Sequence, residues 1–199
     1  MTTVGHEAPS HHLAPELVAK QQRQAVLYFI LADAVFFACM LFTYFYLRSL
    51  NVEGGWIPDG GKTASAWLVW VIAAVTLISA AVYWGAEGAI RSGQRQRFQA
   101  VTLAGLLLVL VSVGLIIYQL ATMPMLMSDG SYASTFVVMT SVQLVHLVIL
   151  AIVVIGIWNR AVRGKLDDGH VTYATLVGYF WYWVALTALL SAGTTFFVN

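Results

Sequence analysis

Long apolar runs alternate with short polar stretches along this chain. The runs cover residues 25–47, 66–88, 98–121, 134–158 and 173–197, with lengths of 23 to 25 residues. At about 1.5 Å of rise per residue, a helix of that length crosses a hydrocarbon core of roughly 30 Å. The pattern predicts an all-α, polytopic membrane protein, a bundle of five transmembrane helices. The segments between the runs carry turn chemistry. Asn51, Glu53, Gly54, Gly55, Pro58, Asp59, Gly60 and Gly61 follow the first run, and Met123, Pro124, Met125, Asp129 and Gly130 separate the third from the fourth. Trp56, in the first of these loops, is expected at the membrane interface. All 4 prolines lie outside the runs, and of 10 basic and 9 acidic residues only Asp33 and Glu87 fall inside them. Residues 1–24 form a polar tail without the apolar core and cleavage site of a signal peptide. Its His6, His11 and His12 have no other ligand type beside them and read as solvated rather than metal-binding. The chain thus divides into the tail, 1–24, and one transmembrane domain, 25–199.

Composition agrees with the pattern. Charged residues make up 10% of the chain and hydrophobic ones 60%, with a mean hydropathy of +0.79. A soluble domain carries about a quarter charged residues, so the chain is built for lipid and has no room for a separate catalytic module. The net charge of +1 is dispersed at span ends, which gives no surface for nucleic acid. Lys and Arg are unevenly shared between the two sides. Lys20, Arg23, Arg91, Arg95, Arg97, Arg160, Arg163 and Lys165 fall on one side, and only Arg48 and Lys62 on the other. The positive-inside rule places the amino terminus in the cytoplasm and the carboxyl terminus outside. Cys39, the only cysteine, lies in the first run and reads as a small packing residue.

Few side chains inside the spans carry chemistry. An unpaired Asp33 at mid-depth costs a few kcal/mol, so it is expected to face other helices, to be protonated or to find a hydrogen-bond partner. Glu87 stands four residues before Arg91, a favourable helical spacing that predicts a surface ion pair. Gly105, Ser112 and Gln119 recur every seven residues on the third span, a small and polar stripe suited to close helix approach, with Gln119 as a structural hydrogen-bonder. Gln143 and His146, at i and i+3, project from one face of the fourth span. Tyr182 belongs to an aromatic cluster opening the fifth and reads as structural. A haem or copper centre needs several histidines at one depth, yet only His146 lies within a span. Repeats and broken helices, the marks of secondary transport, are missing. The residues give this chain no catalytic group, cofactor or metal of its own, and point to service in a larger membrane complex.

Four stretches carry a resemblance. LADAVFFACMLFTYFYLRS, with Asp33 at its acidic position, resembles the first helix of the five-span form of subunit III of haem-copper oxidases. GLIIYQL, containing Gln119, resembles the end of that family's next-but-one helix. SVQLVHLVILAIVVIGIWNRAVRG resembles its two-histidine segment, with His146 at the second histidine and Gln143 and Leu144 in place of the first histidine and a glycine. GYFWYWVALTALLSAGTTFF resembles the closing motif, with Tyr182 at a histidine position and Ala185 at an aspartate position. The resemblance implies a metal-free accessory subunit of the bacterial cytoplasmic membrane. It would pack beside catalytic subunits I and II, whose haem and copper do the redox work, hold phospholipid in a cleft between helices, and sustain oxygen and proton supply during turnover. Asp33, Gln143, His146, Gln119, Tyr182 and Glu87 are then candidates for lipid or subunit contact. A quinol oxidase or a nitric oxide reductase would accommodate such a subunit as readily as a cytochrome c oxidase. A small ion channel or carrier using Asp33 and His146 as a pH-sensitive pair is the reading from a different class.

Overall fold

A computed structural model describes residues 15–51, 55–58, 60–164 and 170–198. The tail histidines, Glu53, Gly54, Asp59 and Lys165 lie outside the described residues. Five helices follow in order: α1 Pro15–Ser49, α2 Ala66–Arg91, α3 Arg95–Thr122, α4 Ser131–Val162 and α5 His170–Gly193. All five are long and apolar enough to span a membrane, and no strand occurs among the described residues. The helices overrun the apolar runs because good helix formers flank them. In particular, residues 15–24 of the expected tail, rich in Glu, Lys, Gln and Arg, are already helical.

Helix ends follow local chemistry. Gly93, with φ +71°, stands just after α2 and turns the chain back. There the Gln94 N–H donates to Ala89 O at 2.9 Å and the Gly93 N–H to Ile90 O at 3.0 Å, satisfying two carbonyls that the helix end leaves open. Residues 92–94 are therefore enough to return α3 antiparallel against α2. α3 ends before Pro124, which cannot continue it.

Packing divides the helices unequally. α2, α3, α4 and α5 close a ring, each touching the next and α5 returning to α2, whereas α1 lies outside the ring against α4 and α5. The ring holds the main core, including Leu68, Tyr83, Phe98, Leu147, Val154 and Trp181. Among the described side chains of α1, only Phe37 and Tyr44 are buried. Trp56 is covered rather than facing lipid. It sits edge-on to Tyr44 at 5.1 Å and to Tyr132 at 5.7 Å, because the loop after α1 folds back over the bundle end. Two further bonds fix that end: Tyr44 O–H donates to Thr194 O at 3.1 Å, and the Ala64 N–H to the Tyr132 hydroxyl at 3.3 Å. Cys39, expected as a packing residue, is exposed on α1.

Candidate functional site

Asp33 is drawn inward by the register of α1. Val26, Ile30, Asp33, Phe37, Met40, Tyr44 and Leu47 alternate at spacings of four and three, and all are buried or half-buried. Such a stripe is the face one helix presents to its neighbours in a left-handed crossing. Asp33 therefore shares its face with apolar residues, and meets the two polar rings that α4 and α5 offer at its level. His146 Nε2 lies 3.1 Å from Asp33 Oδ1 and 3.0 Å from Oδ2, and the Trp183 Nε1–H donates to Oδ2 at 2.5 Å. Around them stand Phe180, 6.4 Å from the His146 ring and tilted by 72°, and Phe37, edge-on to Trp183 at 6.4 Å. His146 Nδ1 is buried with no protein partner, so Nε2 is the nitrogen through which the imidazole acts on the carboxylate. One carboxylate thus joins three helices midway along α1, the arrangement a lone acid in lipid requires.

Beside this cluster, on its amino-terminal side along α1, α1, α4 and α5 leave an apolar cleft of about 400 Å³. Phe29, Ile149, Val153, Leu176 and Phe180 are among its walls. A second cavity, of about 350 Å³, lies on the other flank of the α1–α5 contact and is lined by Lys20, Arg23, Thr172, Thr175 and Tyr179. Arg23 reaches over the Tyr179 ring at 5.9 Å. Leu176 belongs to both walls.

The other sequence-derived candidates fall into two separate networks inside the ring. Gln143 Nε2 donates to Val184 O at 3.1 Å and its Oε1 accepts from the Thr187 hydroxyl at 3.0 Å, so Gln143 bonds α5 and not His146 or Asp33. Gln119 shares a small cavity with Gln143, and its buried Nε2 has no protein partner. Glu87 was expected at the surface. Its pairing with Arg91 at 3.1 Å is present, yet the residue is 4% exposed, and its Oε1 accepts from the Tyr182 hydroxyl at 3.2 Å. Burial is possible because Gly178 of α5 leaves the space: a Cβ there would run into the Glu87 carboxylate. Arg91 in turn approaches the Thr175 hydroxyl at 3.5 Å, at the edge of the cationic cavity.

Sequence reasoning missed Trp183, Thr187, and the α2 and α5 sides of a seam of small polar groups whose α3 side is the expected stripe at Gly105 and Ser112. In that seam Trp181 Nε1–H donates to Ser79 Oγ at 2.9 Å, and the Thr76 hydroxyl is 3.1 Å from that of Ser112. A signal was available: Thr76, Ser79, Tyr83 and Glu87 follow one another at three, four and four residues, one helical face. Gly105 belongs to the same seam, where the edge of Trp181 stands 3.0 Å from the position a Cβ would take. Among the described residues, no three of His, Cys, Asp and Glu are grouped as metal ligands would be.

Comparison with known proteins bears on the same helices. The sequence profile of cytochrome c oxidase subunit III matches residues 3–192. A cytochrome c oxidase subunit 3 from Corynebacterium diphtheriae is 24% identical over 196 residues, which are 94% of this chain and 95% of that protein. One from Zea mays is 28% identical over 199 residues, covering 94% of this chain and 70% of the relative. One from Marchantia polymorpha is 26% identical over 167 residues, 81% of this chain, and the match spans only 63% of the relative. With the profile covering nearly all of α1 to α5, the chain belongs to the cytochrome c oxidase subunit III family.

Proposed function

We propose that this chain is the accessory subunit III of a haem-copper terminal oxidase, seated beside catalytic subunits I and II in a bacterial cytoplasmic membrane. The family match across residues 3–192 carries the proposal. Haem and copper belong to the partner subunits. This chain contributes a rigid helical ring, with α1 set against it so that a cleft for phospholipid opens between α1, α4 and α5. The apolar walls of the 400 Å³ cleft suit acyl chains, and Lys20 and Arg23 border the neighbouring cavity at the height of headgroups. Both cations stand on the side richer in Lys and Arg, which we place in the cytoplasm. Asp33, tied to His146 and Trp183, sets the distance of α1 from α4 and α5 and thereby the width of the cleft.

The experiment is isolation of the native complex through a tag on this chain. Haem-bearing subunits should co-purify, with phospholipid retained in native mass spectrometry. Loss of the chain should leave the visible redox spectrum intact while activity decays during turnover. Asp33→Asn should lower both retained lipid and resistance to turnover. A stable, haem-free homo-oligomer would overturn the proposal. The contact between Asp33 and His146 is also what a small proton carrier would use, and that alternative requires transport by the isolated chain in liposomes, abolished by the same Asn variant. The spectrum and electron donor of the co-purified complex separate cytochrome c oxidase from quinol oxidase and nitric oxide reductase.

A further inference from the structure

Towards the end of the ring where α3 gives way to α4, a slot of about 30 Å³ lies among α2, α3, α4 and α5. Its lining mixes apolar residues with four polar ones: Gln119 from α3, Thr140 and Gln143 from α4, and Ser191 from α5. The amide of Gln143 is engaged at both ends, with Val184 O and the Thr187 hydroxyl. Gln119 and Ser191 are not so engaged. Gln119 is 3% exposed, and neither its Nε2 nor the buried Ser191 Oγ meets a protein partner.

Two orphaned polar atoms in the wall of one small cavity are hard to reconcile with an empty space. A buried donor without an acceptor costs about 1–3 kcal/mol. Apolar cavities of this kind stay dry, whereas a polar one needs only some 10–15 Å³ of accessible volume and two to four partners to hold a water. The slot has room for such a molecule. We propose that it holds an ordered water that accepts a hydrogen bond from Gln119 Nε2–H and bonds the Ser191 hydroxyl, linking α3 to α5 at a level where none of the side-chain bonds described above does so. Water has the donor and acceptor capacity that the two groups call for. The inference stands on the cavity and its lining, independently of the oxidase role.

Water-edited solid-state NMR on the full chain, reconstituted in bilayers and ¹⁵N-labelled at glutamine, tests it. The side-chain amide signal assigned to Gln119 by its loss in Gln119→Leu should receive magnetisation from water, as the exposed Gln96 amide does. Ser191→Val, which fills the slot and removes the hydroxyl, should abolish that transfer while leaving the Gln96 signal unchanged. A dry Gln119 amide in the unaltered chain overturns the proposal, and this holds even if the Val variant fails to fold. Transfer that persists undiminished in a folded Ser191→Val protein overturns the assigned position.

Discussion

The Asp33 carboxylate is held by an indole and an imidazole, and the two can be separated by substitution. Trp183→Phe removes the 2.5 Å hydrogen bond but keeps a ring where Trp183 meets Phe37 edge-on. Side-chain hydrogen bonds inside membrane bundles average about 0.6 kcal/mol and reach about 1.7, while bonds to charged groups run to roughly 1.5–3. The Phe variant should therefore lose about 1–2 kcal/mol. For a chain of this size that is a fall of about 2–8 °C in the thermal unfolding midpoint in detergent. No fall would mean that His146 alone satisfies Asp33. That Asp33 faces inward was legible from the sequence, since a single acid in a 23-residue apolar run has few places to go. That Trp183 would be its partner was not, because one Trp among several aromatics in α5 carries no mark of direction.

Where α2 meets α5, the fit between Glu87 and Gly178 decides whether the helices close. A methyl on Gly178 would occupy the space of the Glu87 carboxylate. Gly178→Ala should therefore destabilise by about 1–3 kcal/mol through overpacking. Glu87→Ala alone should also destabilise, since it removes the acceptor of the Tyr182 hydroxyl and of Arg91. The double variant should cost less than the two together, with a coupling of about 0.5–3 kcal/mol in a thermal-unfolding cycle. Strict additivity would show that the two positions do not share space. The i,i+4 rule found the partner of Glu87 correctly and its depth wrongly. The rule compares neighbours on one helix, whereas burial was set by a glycine 91 residues further along the chain. The same limit hid Thr76 and Ser79, whose partners Ser112 and Trp181 sit on other helices.

Hydropathy along the chain made all five spans legible but not their ranking. α1 is as greasy as the others, yet only the structure places it outside a closed ring of four. In lipid there is no hydrophobic drive to pull one helix against another, so association rests on packing and polar contacts. For α1 these are the heptad stripe from Val26 to Leu47, the Asp33 cluster at its centre, and the Tyr44 and Trp56 contacts at its far end. The ring of α2–α5 makes its own core without α1. It follows that residues 1–51 and 52–199, co-expressed as two polypeptides, should reassemble in the membrane and co-purify. Asp33→Leu in the first piece should weaken that association about 25-fold, since it loses the contacts to both His146 and Trp183 and about 1 kcal/mol for each is close to a factor of five. Phe36→Leu, on the exposed side of the same helix, should leave it unchanged. Equal loss in both variants would mean that α1 is held by general helix packing and that the Asp33 cluster does not select its position. A second piece that failed to fold alone would show that the ring needs α1 to close.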